Sequence, residues 1–151
     1  GSDKSVHLIL FKITRYEQFG DSKSNVLTEE LVKAHNRGVD VKIVLDVNAW
    51  SDEINMSNRE TALWFLGKGV EEVKFDSPGW TTHGKVMIVD RESVLVGSSN
   101  WSYYSLAKNL EVDVALKNIP SVAQAFEVYF QKVWERAEIP SRKELGGILS
   151  G

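Results

Sequence analysis

The sequence predicts one α/β domain with a mixed, partly parallel sheet and helices on both faces of that sheet. Its 151 residues give room for one domain with a hydrophobic core. In the first third of the chain, a strand pattern, an amphipathic helix pattern and a second strand pattern follow one another. This order favours a right-handed crossover between two parallel strands. Further along, two strand patterns separated by a short turn predict neighbouring strands of opposite direction.

The first half of the chain supplies the parallel part of the predicted sheet. Residues 5–13 carry the apolar clustering of a buried strand. Residues 25–37 predict a helix, because their apolar residues fall on one helical face and Gly38 follows as a stop signal. Residues 39–46 predict a strand that is buried on both faces.

The second half of the chain predicts a loop, two helices and four short strands. Residues 47–56 predict a polar loop, and Ser57 and Glu60 have capping-box spacing, which places the start of the next helix at Ser57. Strands are predicted at residues 72–75, 85–89, 93–96 and 111–116. Pro120 opens the last helix, which is predicted over residues 121–137. We therefore expect one domain over residues 3–138, a mobile tail over residues 139–151 and a remnant of cloning at residues 1–2.

Composition excludes several classes of protein. The net charge of −3, from 18 basic and 21 acidic residues, is not that of a tight nonspecific nucleic-acid binder. The sequence has no apolar run near the roughly 18 residues that would predict a membrane-spanning helix. The lack of cysteine excludes disulfides and thiolate metal sites. Localisation stays undecided, because a signal peptide or membrane anchor ahead of Asp3 is compatible with the sequence.

Polar residues whose side chains can take part in catalysis or binding are concentrated between Trp80 and Glu111. His83 and Lys85 are two residues apart in a strand pattern, so both side chains leave the same face of one strand. Residues 97–100, with the sequence Gly-Ser-Ser-Asn, end the following strand pattern. Such a corner of small, donor-rich residues suits an anion. The two strands therefore predict an anion site beside an imidazole and an ammonium group.

The spacing H-x-K-x4-D-x6-G-S-x-N resembles the signature of the phospholipase D superfamily. The positions of that signature are filled by His83, Lys85, Asp90, Gly97, Ser98 and Asn100, with Glu111 further on as a seventh. The resemblance covers nearly the whole chain and implies the phospholipase D-like fold. It also implies a phosphodiesterase with a phosphohistidine intermediate.

The residue types suit the cleavage of a phosphodiester. That reaction needs an attacking group, donors for the non-bridging oxygens and an acid for the departing oxygen. An imidazole at His83 can attack, and Lys85, Ser98 and Asn100 are expected to bind the phosphoryl oxygens. Because these donors already offset the negative charge, we expect neither a metal ion nor a cofactor.

The remaining positions of the signature have supporting roles in this interpretation. The resemblance implies that the carboxylate of Glu111 accepts a hydrogen bond from a catalytic imidazole and fixes its tautomer. Asp90 and Gly97 are expected to shape the motif without touching the substrate. The other two histidines, His7 and His35, are expected to be structural, and His35 falls in the last turn of a predicted helix.

One copy of the motif provides one imidazole, whereas the reaction needs a nucleophile and an acid. The resemblance implies that two motifs meet across an approximate two-fold axis, so this chain is expected to form a homodimer with one shared site. Candidate stacking residues are Trp80 and Trp101, with Trp50, Tyr103 and Tyr104 nearby. Small one-motif members of the family resemble nonspecific endonucleases most closely. The resemblance therefore implies that this chain is a nonspecific endonuclease on DNA or RNA. The alternatives are a phospholipase D-type hydrolase or phosphatidyltransferase acting on phospholipid head groups, and a non-catalytic binding scaffold of the same fold.

Overall fold

The computed structural model describes residues 2–77 and 79–141. In these residues six strands and four helices follow one another along the chain. They are β1 (Ser5–Leu10), α1 (Lys23–Asn36), β2 (Asp40–Leu45), α2 (Asp52–Gly67), β3 (Val73–Phe75), β4 (Lys85–Val89), β5 (Ser93–Gly97), α3 (Tyr103–Ala107), β6 (Asp113–Leu116) and α4 (Pro120–Arg136). None of these helices is both long enough and apolar enough to cross a membrane.

The six strands form one mixed sheet in the order β3-β2-β1-β4-β5-β6. The pairs β1–β2 and β2–β3 are parallel, whereas β1–β4, β4–β5 and β5–β6 are antiparallel. Crossovers through α1 and α2 connect the parallel strands, as expected for strands of the same direction. The predicted mixed, partly parallel sheet is confirmed.

Helices cover both faces of the sheet, also as predicted. Successive residues of β1 point to opposite faces, so Leu8 packs in one core cluster and Ile9 in the other. The first cluster includes Phe65 of α2 together with residues of α1. The second is formed against α4, where Phe130 is fully buried. The sheet is therefore the middle layer of three.

The predicted start of α2 is wrong. The helix begins at Asp52, and the side chain of Ser51 accepts a hydrogen bond from the backbone N–H of Ile54 at 3.4 Å. Ser57 is already inside the helix, and its hydroxyl donates to the backbone carbonyl of Ile13. Ser57 therefore bonds to the segment that follows β1 and does not cap the helix. The loop after β2 is shorter than predicted by about one helical turn.

The region after β5 also differs from the prediction. A short helix, α3, was not predicted, and its first residues are the exposed Tyr103 and Tyr104. Strand β6 begins at Asp113, two residues later than expected. Pro120 opens α4 as predicted. The predicted mobile tail lies mostly outside the described residues.

The two histidines outside the motif lie where a structural role would place them. His7 is 1% exposed, and its Nδ1 lies 2.7 Å from a carboxylate oxygen of Glu127. The same ring stacks on Phe130 with 4.7 Å between centroids. His35 lies in the last turn of α1.

Candidate active site

His83 and Lys85 meet at the start of β4. The Lys85 Nζ lies 3.1 Å from His83 Nδ1, and it donates a hydrogen bond to the backbone carbonyl of His83 at 2.7 Å. Lys85 is only 9% exposed, whereas His83 is exposed. Burial lowers the pKa of Lys85, and the carboxylates of Glu111 and Asp46 oppose that effect. The strand thus presents an accessible imidazole with an ammonium group held behind it.

Two aromatic rings from other elements complete the surroundings of His83. Phe11 directly follows β1, and its ring centroid lies 4.5 Å from that of His83 and 5.1 Å from Lys85 Nζ. Trp50 stacks on Phe11 with 6.0 Å between ring centroids and is 64% exposed. Phe11 was not predicted as part of the site, although its place at the end of the strand that neighbours β4 is a signal for it.

The donor-rich corner forms where β5 ends against β6. A Cβ atom added at Gly97 would lie 2.0 Å from Asp113 Oδ1 and 2.4 Å from the Val112 carbonyl oxygen. Only glycine leaves space for this close approach. After Gly97 the chain turns so that Ser98 is exposed, whereas Ser99 is buried and bonds to Asp113.

Ser98 and Glu111 are joined directly. The Ser98 hydroxyl donates to the Glu111 carboxylate and accepts a hydrogen bond from the backbone N–H of Val112 at 3.1 Å. Asn109 donates to the other oxygen of Glu111 at 3.2 Å. The hydrogen bonds from Ser98 and then Asn109 hold the pKa of Glu111 below its usual range. Glu111 is therefore an ionised acceptor beside the anion corner.

Asn100 supplies a polar group that has no partner in this chain. Its Oδ1 atom is buried and, within the described residues, has no hydrogen-bond partner. Buried amide oxygens are nearly always hydrogen-bonded, so an unpaired one beside a site calls for a functional explanation. Asn100 is part of the predicted phosphate-binding set.

Asp90 lies at the other end of β4 from Lys85. Its carboxylate accepts backbone N–H groups from Lys4 at 2.8 Å and Ser5 at 3.0 Å. Burial opposes ionisation, but the hydrogen bonds from Ser5 and Lys4 prevail and lower the pKa of Asp90 to about 2. The contacts of Asp90 thus fix the start of β1 and do not reach His83.

The two predicted stacking residues have different surroundings. Trp101 is 6% exposed and packs in the first core cluster, so its proposed role in stacking is wrong. Its backbone pairs with Ile13, which draws the side chain inward. Trp80 is 65% exposed, and the guanidinium of Arg136 lies 5.6 Å from its ring centroid. Of the two, Trp80 remains a candidate for substrate contact.

Three residues that the sequence did not single out lie directly behind His83. Asp46 and Asp76 immediately follow the parallel strands β2 and β3, and both bond to Thr82, the residue before His83. Burial raises the pKa of Asp46. For Asp76, burial is outweighed by hydrogen bonds from Arg136 and Thr82, which lower its pKa. A carboxylate directly after each of two adjacent parallel strands is a sequence signal for a polar cluster at this edge of the sheet.

The donors of the site are of the kind that bind an oxyanion. The site places an ammonium group beside an imidazole at the start of β4, and a hydroxyl and a side-chain amide after the end of the neighbouring strand β5. In residues 2–77 and 79–141, no group of three or more His, Cys, Asp or Glu side chains is arranged to hold a metal ion. The arrangement can support attack by an imidazole on an anionic centre and can stabilise the charge that develops there.

Comparison with known proteins gives consistent results. The family described as "Cardiolipin synthase, PLD-like domain" matches residues 2–134. Phospholipase D Y of Dictyostelium discoideum is 32% identical over 111 residues, which are 74% of this chain and 25% of the relative. The mitochondrial cardiolipin hydrolase of Homo sapiens is 28% identical over 68% of this chain and 38% of its own length. In both cases this chain spans less than half of the relative's own length.

A solved structure shows the same fold at similar size. Nuc of Salmonella typhimurium, a phospholipase D family member, superimposes with a TM-score of 0.75 and 27% identity. The match covers 91% of this chain and 82% of Nuc. NucT of Helicobacter pylori shares the fold with a TM-score of 0.69 at 21% identity. The family match over residues 2–134 and the fold shared with Nuc agree, and the chain belongs to the phospholipase D superfamily.

Proposed function

We propose that this chain is a metal-independent phosphodiesterase whose active site is shared by two subunits, and that it is an endonuclease on DNA or RNA. The observation that carries the proposal is the contact of 3.1 Å between Lys85 Nζ and the exposed imidazole of His83. That pair lies at the start of β4, beside the end of the neighbouring strand β5, after which Ser98 and Asn100 form the donor corner. Together these groups provide a nucleophile and binding for the phosphoryl oxygens.

The reaction proceeds in two displacements at phosphorus. The neutral His83 of one subunit attacks, a P–N bond forms, and the bond to the leaving oxygen breaks with its electron pair on that oxygen. The protonated His83 of the second subunit gives its proton to this oxygen. The second imidazole then takes a proton from water, whose oxygen attacks phosphorus and breaks the P–N bond. Activity should fall on both sides of the state in which the pair holds one proton.

Lys85, Ser98 and Asn100 act on the charge of the phosphoryl group. The position of the Lys85 ammonium group is fixed, because the side chain is buried and its Nζ lies beside the His83 ring. The unpaired Oδ1 of Asn100 is an acceptor, whereas the Nδ2 group of the same amide can donate a hydrogen bond to a phosphoryl oxygen. Since an ammonium group takes the place that a divalent cation has in many phosphodiesterases, we expect full activity in EDTA.

The proposal of a homodimer is supported by the edge of the sheet nearest to the site. Strand β6 is at the edge of the sheet. Val114 in this strand is 48% exposed, and Val112 directly before the strand is 73% exposed. Leu110 just before them is fully exposed. An apolar sheet edge left open to water favours association, and an isologous contact would place two motifs about one axis. Glu111 would then accept from the imidazole of the second subunit.

Nucleic acid is favoured as substrate by two observations. Trp50 and Trp80 are exposed aromatic side chains close to the site and can stack on bases. The solved structure whose name, Nuc, suggests a nuclease has nearly the same extent as this chain. Phospholipid is the second candidate, since several relatives are named phospholipase D and one is named for cardiolipin hydrolysis. Exposed tryptophans also suit a lipid interface.

Parallel assays of the purified chain decide between these substrates. Single-stranded DNA, duplex DNA, RNA and phosphatidylcholine vesicles are each incubated with excess EDTA, and His83→Ala is the control. The proposal expects cleavage of at least one nucleic acid by the wild type and none by the variant. Turnover of vesicles with no nucleic acid cleaved would favour the phospholipase. Activity that EDTA abolishes and magnesium restores would contradict the metal-independent mechanism.

A further inference from the structure

The residue before His83 is held by two buried carboxylates. Thr82 is 3% exposed, its backbone N–H donates to Asp46 Oδ1 at 2.7 Å, and its hydroxyl donates to Asp76 Oδ2. Asp46 and Asp76 are 0% and 2% exposed. Through its backbone N–H and its hydroxyl, Thr82 therefore joins the carboxyl ends of two adjacent parallel strands, β2 and β3, one residue before His83.

The remaining oxygens of both carboxylates are also satisfied. The side-chain amide of Asn48 donates to Asp46 Oδ2 at 2.8 Å. The Nε of Arg136, at the end of α4, donates to Asp76 Oδ1 at 3.0 Å, and its Nη2 donates to Asp76 Oδ2 at 2.8 Å. Fully bonded buried carboxylates are rigid, because any displacement leaves an unpaired charge in a low-dielectric interior. The position of Thr82 is thereby fixed from three elements of the fold.

Two buried carboxylates side by side are costly for the folded state. Each carboxylate loses its hydration. For Asp46, burial raises the pKa, and the nearby charge of Asp76 also acts to raise it. Replacing buried charged groups with apolar residues of similar volume is often neutral or stabilising. Their directions indicate another purpose, because both bond to the one residue that immediately precedes the proposed nucleophile.

We propose that Asp46, Asp76 and Thr82 are positioning residues that hold the imidazole of His83 against Lys85 and Phe11. The inference rests on the proposed function for its kinetic consequence, but its geometric consequence can be measured separately. Thr82 fixes the backbone from which His83 projects, while Lys85 and Phe11 contact the imidazole ring itself. Because a misplacement of about 1 Å near a reacting atom can cost about 100-fold in rate, loss of this bracing should lower kcat. KM should stay unchanged, since all three residues are buried away from any bound substrate.

The test uses two variants of matched shape. Thr82→Val keeps the volume and the backbone N–H bond to Asp46 but removes the hydroxyl that Asp76 accepts. Thr82→Ser keeps the hydroxyl. We expect Thr82→Val to lower kcat by roughly 10- to 100-fold with KM within about twofold of wild type, and Thr82→Ser to retain most of kcat. All rates are measured well below the unfolding temperature of each variant.

A spectroscopic measurement separates positioning from general weakening and from failure of the proposed function. The imidazole ¹H–¹³C resonances of His83 are assigned by their loss in His83→Ala. They should shift in Thr82→Val and stay near their wild-type positions in Thr82→Ser, while the resonances of His7 and His35 stay in place in both variants. If the wild type cleaves no phosphodiester, the proposed function fails, and these shifts still test the positioning. Wild-type resonances and wild-type kcat in Thr82→Val would overturn the inference, as would equal losses in the valine and serine variants.

Trp80→Ala provides a second control. Trp80 precedes Thr82 by two residues and contacts the same Arg136 guanidinium, but it does not bond to either carboxylate. A substrate-contacting role predicts a raised KM with unchanged His83 resonances. If Trp80→Ala moves those resonances as far as Thr82→Val does, the loop as a whole positions His83, and the specific role of the carboxylates is refuted.

Discussion

The Gly97→Ala substitution should force β5 and β6 apart at the donor corner. The added Cβ would lie 2.0 Å from Asp113 Oδ1, 2.4 Å from the Val112 carbonyl oxygen and 2.6 Å from Asp113 Cα. The first of these atoms can rotate away. The other two belong to the backbone, so relief requires the strands to separate by roughly 1 Å to reach ordinary contact distances. Overpacking of this kind costs about 1–3 kcal/mol.

This energy can be measured as a shift of the unfolding temperature. For a domain of this size, 1 kcal/mol corresponds to about 2–4 °C, so Gly97→Ala should unfold at a temperature lower by about 2–12 °C. Strand separation also displaces Ser98 and Glu111, which lie on opposite sides of the contact, so turnover should fall with stability. Differential scanning calorimetry and the phosphodiesterase assay are carried out on the same preparations.

Gly67→Ala is the matched control, because a Cβ at Gly67 meets no atom within 4 Å. Gly67 is the last residue of α2, where alanine should be neutral or stabilise by up to about 1 kcal/mol. A Gly97→Ala protein with wild-type unfolding temperature and activity would refute the close approach of the two strands. Equal destabilisation by both substitutions would refute the reasoning as well, since the clash is specific to Gly97.

Three further predictions concern charge and assembly. Lys85→Met should lower kcat/KM by about 10²–10³-fold, or about 2.7–4 kcal/mol, and a loss under tenfold would argue against a role in charge stabilisation. Because burial lowers the pKa of Lys85, wild-type activity should fall as the pH rises, and this fall should begin below the usual lysine range. The pKa of Asp90 is lowered to about 2, so its stabilisation is present above about pH 4 and is lost as the pH falls toward 2. Because Asp90 is partly exposed and solvent screens its charge, Asp90→Asn should cost about 1 kcal/mol at pH 7 and flatten urea-unfolding stability between pH 4 and 2, and an unchanged pH profile would contradict that pKa. Mixing His83→Ala chains with Lys85→Ala chains should not restore normal turnover, since every mixed dimer holds one imidazole, and full recovery would show that one is enough.

The sequence predicted the sheet well where the pattern along the chain is local. The alternation of strand and helix patterns over residues 5–46 was enough for the parallel pair, and the short turn at Asp90 was enough for the antiparallel pair. Boundaries were less predictable. Ser57 has the spacing of a helix cap, but Ser51 is the cap, and Ser57 lies inside the helix and bonds to Ile13 in the segment after β1.

The site divides in the same way between local and distant relations. His83 and Lys85 were expected on one face of a strand, and the structure brings their side chains together. Trp80 and Trp101 look equivalent in the sequence, yet one is exposed and the other is in the core, because only the fold decides which ring faces water. The bracing of Thr82 joins residues 36 and 6 positions apart in the chain, and no local pattern predicts such contacts.

Dilution of the wild-type chain tests the central claim most directly. Specific phosphodiesterase activity and sedimentation velocity are measured on one concentration series that spans dimer dissociation, with substrate held far above KM. If two copies of His83 share one site, specific activity should fall in proportion to the fraction of dimer and return on reconcentration. A sedimenting monomer with constant specific activity across the series would contradict the shared site and with it the two-histidine mechanism.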